Sequence, residues 1–159
     1  FVGFMGAGKT SVARRLARTC GVASVDMDTY IERREGKKVK EIFAEGGEEG
    51  FRAIETDVLR ELAGKEPLLV SCGGGVVKRP ENLRALHQNG VVLFIDRPVE
   101  ALAVGGSRPL SSSMEALRTM EAQRRPLYRA AADAVVPNTG TLEDALRAAM
   151  EALDEIFDS

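Results

Sequence analysis

Residues 3–10 read Gly3-Phe4-Met5-Gly6-Ala7-Gly8-Lys9-Thr10, which is the pattern G-x-x-x-x-G-K-[ST]. No other stretch constrains the fold as strongly, because the pattern works only as strand, tight loop and helix in that order. The apolar Phe1 and Val2 precede it. Thr10 to Cys20 follows with Val12, Leu16 and Ala17 at helical spacing. The glycines let the backbone turn sharply and bring successive N–H groups to a phosphate, and the helix N-terminus adds partial positive charge. Lys9 supplies a point charge near the β- and γ-phosphates, and the Thr10 hydroxyl is placed to hold Mg²⁺. A glycine-rich turn before an ordinary helix is the alternative, and the strand–loop–helix context argues against it. Gly6, Ala7, Gly8, Lys9, Thr10 and Ser11 are therefore the candidate nucleotide contacts. The motif specifies a nucleoside triphosphate and leaves the acceptor open. Phe1 and Val2 are read as the end of a first strand, part of which lies outside this sequence.

The rest of the chain alternates strands with helices. Short β-type runs are expected at Val22–Asp26, Pro67–Cys72, Val91–Asp96 and Ala134–Val136. Between them lie helical segments at Thr29–Glu35, Val39–Ala44, Glu48–Ala63, Glu81–Asn89, Pro98–Val104, Met114–Asp133 and Leu142–Phe157, with a bend or new start at Pro126. Such alternation predicts an α/β fold with a parallel sheet and right-handed crossovers, whose ligands lie beyond the carboxyl ends of the strands. At 159 residues the chain fits one domain. Its 22 basic and 24 acidic residues give a net charge of −2, with no general basic footprint for nucleic acid or an anionic membrane. No apolar run reaches membrane-spanning length. Cys20 and Cys72 form no disulfide framework, which points to a reducing, cytoplasmic home. His87 is the single histidine, so a histidine metal cluster or triad is excluded, and a surface position is expected for it.

Asp26-x-Asp28 follows a strand end, so both carboxylates point into the ligand crevice. They suit Mg²⁺ with hydroxyl recognition or general-base work; the bland reading is a helix cap by Asp28 and a solvated Asp26. Arg52 and Glu55 sit three apart on one helix, which by itself is a surface ion pair. Gly73-Gly74-Gly75 after a strand suggests backbone packed against a ligand, or a plain flexible loop. Arg108, in the Gly/Ser-rich stretch 105–113, would serve as a phosphate contact on a mobile loop, or is an ordinary surface arginine. Arg124-Arg125-Pro126-Leu127-Tyr128-Arg129 is an anion pocket or a solvated face.

Taken together, six stretches resemble the shikimate kinase family. They are the phosphate loop, Val25-Asp26-Met27-Asp28, Ile42 to Glu48 with Phe51-Arg52-x-x-Glu55, Ser71 to Gly75, Arg108-Pro109-Leu110, and Arg125 to Arg129. They occur in the family's order and cover nearly the whole chain. The resemblance implies transfer of the γ-phosphoryl of ATP to the 3-hydroxyl of shikimate, with ATP and Mg²⁺ required and shikimate as the partner molecule. A monomer is expected, and the near-neutral charge points to neither nucleic acid nor membrane as partner. The implied fold is a three-layer α/β/α P-loop NTPase domain like the nucleoside monophosphate kinases, with a five-stranded parallel sheet and a mobile lid. That is one domain over 1–159, with a core of 1–27, 67–104 and 130–159, substrate-binding helices over about 28–63, and a lid over about 105–114. Lys9, Asp28 and Arg108 would be catalytic, and Arg108 would also meet the nucleotide. Thr10 and Asp26 would serve the metal. Asp28, Arg52, Gly74, Gly75 and Arg129 would bind shikimate, with Arg52 and Arg129 on its carboxylate and Glu55 holding Arg52. The lid departs from the family pattern. It lacks the usual basic residue before it, is a couple of residues short, and reads Arg108-Pro109-Leu110-Ser111 where a second Leu is common. Two rivals are a kinase acting on gluconate or a nucleoside monophosphate, and a kinase-like binding domain without turnover.

Overall fold

The structure is a computed structural model and describes residues 1–4, 6–64, 68–88, 90–98 and 114–158. Arg108, the expected lid and the expected helix Pro98–Val104 lie, apart from Pro98 and Met114, outside the described residues. The elements in order are α1 (Lys9–Cys20), β1 (Ala23–Asp26), α2 (Met27–Glu35), α3 (Val39–Ala63), β2 (Leu68–Ser71), a 3₁₀ turn (Val76–Lys78), α4 (Pro80–Gln88), β3 (Leu93–Asp96), α5 (Met114–Ala131), β4 (Ala134–Pro137) and α6 (Leu142–Asp158).

The described strands form two parallel pairs, β1 with β2 and β3 with β4. Residues 1 and 2 hydrogen-bond to both pairs. The Phe1 amine donates to Val70 O at 2.7 Å, and Cys72 N donates to Phe1 O at 3.0 Å. On the other side Val2 N donates to Leu93 O and Ile95 N to Val2 O, each at 2.8 Å. Side chains alternate across the strands, so each strand feeds two cores. Leu93 and Ile95 pack with Val12, Leu16, Val136 and Ala145 under α1 and α6. Phe94, between them, packs with Met27, Ile31, Val58, Leu59 and Tyr128 under α2, α3 and α5. Helices therefore cover both faces.

The expected helices Val39–Ala44 and Glu48–Ala63 follow one another within α3 (Val39–Ala63) and meet at a kink, as the glycine pair Gly46-Gly47 suggests; Gly47 is non-helical, at φ 66° and ψ −172°, a conformation closed to residues with a Cβ. One helix differs from expectation. Pro126 does not start a new helix; α5 is continuous from Met114 to Ala131 with Pro126 inside it. Proline removes one donor and crowds the preceding turn, so contacts on either side of it must hold the helix together. Those contacts come from Arg125 and Tyr128.

Candidate active site

The phosphate loop turns at Gly6 (φ 79°) and Gly8 (φ 94°), both in the left-handed region that side chains avoid. At Gly8 space forbids a side chain as well, since a Cβ there would lie 2.6 Å from Asn138 Nδ2. Asn138 is buried just past β4, and its Nδ2 donates to Ala7 O at 2.7 Å. The sequence suggests only a turn at this asparagine, yet it holds the loop's shape from far along the chain. Lys9, 8 % exposed, folds back over the loop, its Nζ donating to Gly3 O at 2.5 Å and Phe4 O at 3.3 Å. Burial lowers its pKa to about 8, against the opposing pull of Asp28 and Asp26, so it is charged at neutral pH. Ser11 lies exposed in the first turn of α1.

Asp26 ends β1 and does two jobs. Its Oδ1 caps α2 by accepting from Asp28 N at 3.0 Å, so Asp26, not Asp28, is the capping residue. Its Oδ2 accepts from Thr10 Oγ1 at 3.1 Å, and Thr10 Oγ1 also lies 3.1 Å from Ser71 Oγ. A carboxylate and two hydroxyls converge there, the hard-oxygen donor set that suits Mg²⁺. Ser71 is an unforeseen member of this group.

The acceptor side is built on α3 and the glycine turn. Arg52 is 8 % exposed, and its Nη1 donates to Glu55 Oε1 at 2.9 Å. Glu55 is 1 % exposed, so the pair is no surface ion pair. A Cβ on Gly75 would lie 2.6 Å from Arg52 Cζ and 2.7 Å from Nη1: the guanidinium lies flat against glycine backbone. On Gly73 it would lie 3.0 Å from Glu55 Oε2 and 3.1 Å from Asp28 Oδ1, so both carboxylates close on that residue. Among the described residues, the buried Glu55 Oε2 has no hydrogen-bond partner. Burial raises the pKa of Glu55, with Arg52 opposing; burial and then the neighbouring Asp26 raise that of Asp28. A proton acceptor, a buried cation and bare backbone thus meet around Gly73–Gly75.

α5 closes this side. Tyr128 donates its hydroxyl to Gly74 O at 2.5 Å, and burial pushes its pKa up to about 12. Arg124 lies one turn earlier on the same face of α5. Its charge acts on Lys9, Glu55 and Tyr128. Arg129 is exposed and turned by about 100° from Tyr128 on the helix. Of the three arginines in the cluster, Arg124 is the one the fold brings to the site. His87 is exposed as expected, with its Nε2 2.7 Å from Ala131 O.

The family model described as shikimate kinase matches residues 5–156. A shikimate kinase of Symbiobacterium thermophilum is 40 % identical over 97 % of this chain and 94 % of its own length. One from Nostoc sp. is 43 % identical over 80 % of this chain and 74 % of its own. The solved structure of a shikimate kinase from Acinetobacter baumannii in complex with shikimate superposes with a TM-score of 0.87, at 36 % identity, over 99 % of this chain and 90 % of that one. On the family match over residues 5–156 and on relatives of this identity and coverage, the chain belongs to the shikimate kinase family.

Proposed function

We propose that this chain transfers the γ-phosphoryl of ATP to the 3-hydroxyl of shikimate, giving ADP and shikimate 3-phosphate for aromatic amino-acid biosynthesis. The observation that carries the acceptor assignment is the Arg52 guanidinium, buried against Gly75, with the Asp28 carboxylate facing the same turn at Gly73. A carboxylate and a hydroxyl on one small ring match that pair; a base with a phosphate does not.

Lys9 leaves the loop carbonyls for the β/γ-phosphates, while the loop amides of Gly6, Ala7, Gly8, Thr10 and Ser11 cradle the triphosphate. Thr10 and Asp26 would hold Mg²⁺, which when bound neutralises phosphate charge. Asp28 orients the attacking hydroxyl and takes its proton. Its raised pKa supports that role, since a base works best when its pKa approaches the operating pH. Arg52 binds the shikimate carboxylate, Glu55 holds Arg52, and Gly74 and Gly75 offer backbone. The second arginine on that carboxylate is Arg124, not Arg129, because Arg124 shares the Tyr128 face of α5. Arg108 remains the proposed lid contact. Phosphoryl transfer asks mainly for positioning and charge stabilisation, which is what this set offers.

We read residues 1–2 as the central strand of a five-stranded sheet in a single kinase domain, supported by their hydrogen bonds to β2 and β3. A monomer in the cytoplasm completes the reading; both cysteines are free thiols, and among the described residues no helix is long and apolar enough to cross a membrane. The test is ADP release from MgATP with shikimate, gluconate or AMP. Stimulation by shikimate alone is expected; stimulation by another acceptor, or by none, overturns the assignment.

A further inference from the structure

Among the described residues, the Arg125 side chain pairs with Asp96 and Glu121 and not with the phosphate loop or the glycine turn, and every nitrogen of its guanidinium is engaged. Nη1 donates to Asp96 Oδ2 and Nη2 pairs with Asp96 Oδ1, both at 2.8 Å. Nε and Nη2 each lie 2.5 Å from Glu121 Oε1, one turn earlier on α5. Its Cζ stands 5.8 Å from the Phe94 ring centroid, and the Phe94 ring packs on Tyr128 at 5.2 Å. The planar fork matches a carboxylate in two bonds, so it fixes an angle as well as a distance.

The position of this pair matters. Pro126 follows directly, where α5 lacks a backbone donor. Arg124 lies just before and Tyr128 just after. The anchor at the other end, Asp96, closes β3, and its backbone oxygen accepts from Asn138 N at 2.8 Å. Asn138 in turn holds the phosphate loop at Ala7. One residue at a strand end thus ties the support of the phosphate loop to the helix that faces the acceptor.

We propose that the Arg125–Asp96 fork is a positioning pair for the acceptor. It fixes the rotation of α5 beside Pro126 and so sets where Arg124 and Tyr128 stand against the glycine turn. The inference rests on the shikimate reading above. Neither side chain touches substrate; they act through Arg124 and Tyr128. The side chains are 27 % and 23 % exposed, and a purely structural role would lower Tm without moving shikimate affinity, so the two readouts separate positioning from mere structure.

The test compares Arg125→Gln, Arg125→Lys, Asp96→Asn and the double variant Asp96→Asn/Arg125→Gln. The readouts are KM for shikimate and for ATP, shikimate Kd by calorimetry without nucleotide, and Tm. Each of Arg125→Gln and Asp96→Asn should raise shikimate KM and Kd about tenfold, the scale of one charge-assisted hydrogen bond, with ATP KM within about twofold. The double variant should be no worse than the worse single, because both remove one interaction. Arg125→Lys, which keeps the charge and loses the fork, should fall between, and it carries the comparison should Arg125→Gln not fold. Unchanged shikimate KM with lowered Tm, equal rises in both KM values, or additive losses would overturn the proposal. A wild-type enzyme that does not phosphorylate shikimate removes the functional reading and this inference together. Wild-type turnover with unaffected variants removes the inference alone.

Discussion

Gly75→Ala puts one methyl group where the Arg52 guanidinium now lies. The backbone tolerates it, since Gly75 sits at φ −100° and ψ 8°, open to alanine. The cost is therefore steric. The new Cβ would start 2.6 Å from Arg52 Cζ and 2.7 Å from Nη1. An unstrained contact needs about 3.5 Å, so the guanidinium must retreat by about 1 Å. Its bond to Glu55, now 2.9 Å, would stretch past hydrogen-bonding range. The displaced guanidinium would also lose a hydrogen bond to the shikimate carboxylate, and hydrogen bonds to charged groups contribute about 1.5–3 kcal/mol. At tenfold per about 1.4 kcal/mol, shikimate affinity should fall about 10- to 100-fold. The buried Glu55 loses its partner in the unliganded protein too, so Tm should fall by roughly 3–12 °C, at about 2–4 °C per kcal/mol for a chain of this size. Calorimetry with shikimate, without nucleotide, reads the first effect and thermal unfolding the second. In an Arg52→Ala background the same change should add nothing, because the group it displaces is gone. A Gly75→Ala protein that binds shikimate within twofold of wild type, at unchanged Tm, would refute the packing of Arg52 on this turn.

Lys9 has its ordinary pKa of 10.5 lowered to about 8 in the folded chain, so between those values the unfolded chain holds the extra proton and nucleotide-free stability rises with pH. At about 1.4 kcal/mol per pH unit the Lys9 contribution is on the order of 3 kcal/mol; denaturant titrations from pH 8 to 10 should show this slope relative to Lys9→Met, and parallel curves would contradict it. Lys9→Met should also abolish turnover in the ADP-release assay while still folding; near-normal turnover would remove Lys9 from the phosphate site. Asp28→Asn should cut kcat by at least about 100-fold and leave ATP affinity within about threefold, and unchanged kcat would remove Asp28 from the chemistry. Arg124→Ala should weaken shikimate binding at least about tenfold more than Arg129→Ala does, and the reverse order would return the carboxylate role to Arg129.

The phosphate loop was legible because its chemistry fixes residue types at fixed offsets within eight positions. The alternation of strands and helices was legible for a similar reason, since Leu93, Phe94 and Ile95 carry the pattern of a strand buried on both faces. What escaped lies in contacts between distant segments. Nothing local marks Asn138 as the partner of Ala7, or Ser71 as the partner of Thr10, because those hydrogen bonds exist only after the sheet brings strand ends together. Arg124 and Arg129 are equally basic and five positions apart; only the docking of Tyr128 on Gly74 sets the helical phase that separates them. The triple glycine invited a ligand, and the structure shows protein side chains close on it too: a Cβ on Gly75 would fall on the Arg52 guanidinium, and one on Gly73 would crowd Glu55 and Asp28. At Pro126 the local rule predicted a bend or a new start, and α5 instead runs on through it, with the long-range fork of Arg125 on Asp96 directly beside it.

The span between Ala7 and Asn138 also governs how the molecule comes into being. That hydrogen bond closes 131 residues of chain, and residues 1–2 take their sheet partners from β2 and β3, far along the sequence. Contacts of such separation form late, because the entropy of closing the loop must be met before they contribute anything. The residues that leave the ribosome early therefore wait for those that leave late. A nascent chain that stops short of Asn138 carries the full G-x-x-x-x-G-K-T sequence with the loop unsupported on that side. Nucleotide can stabilise only a form that binds it, so ATP acts as a folding ligand for the finished domain and not for its first half.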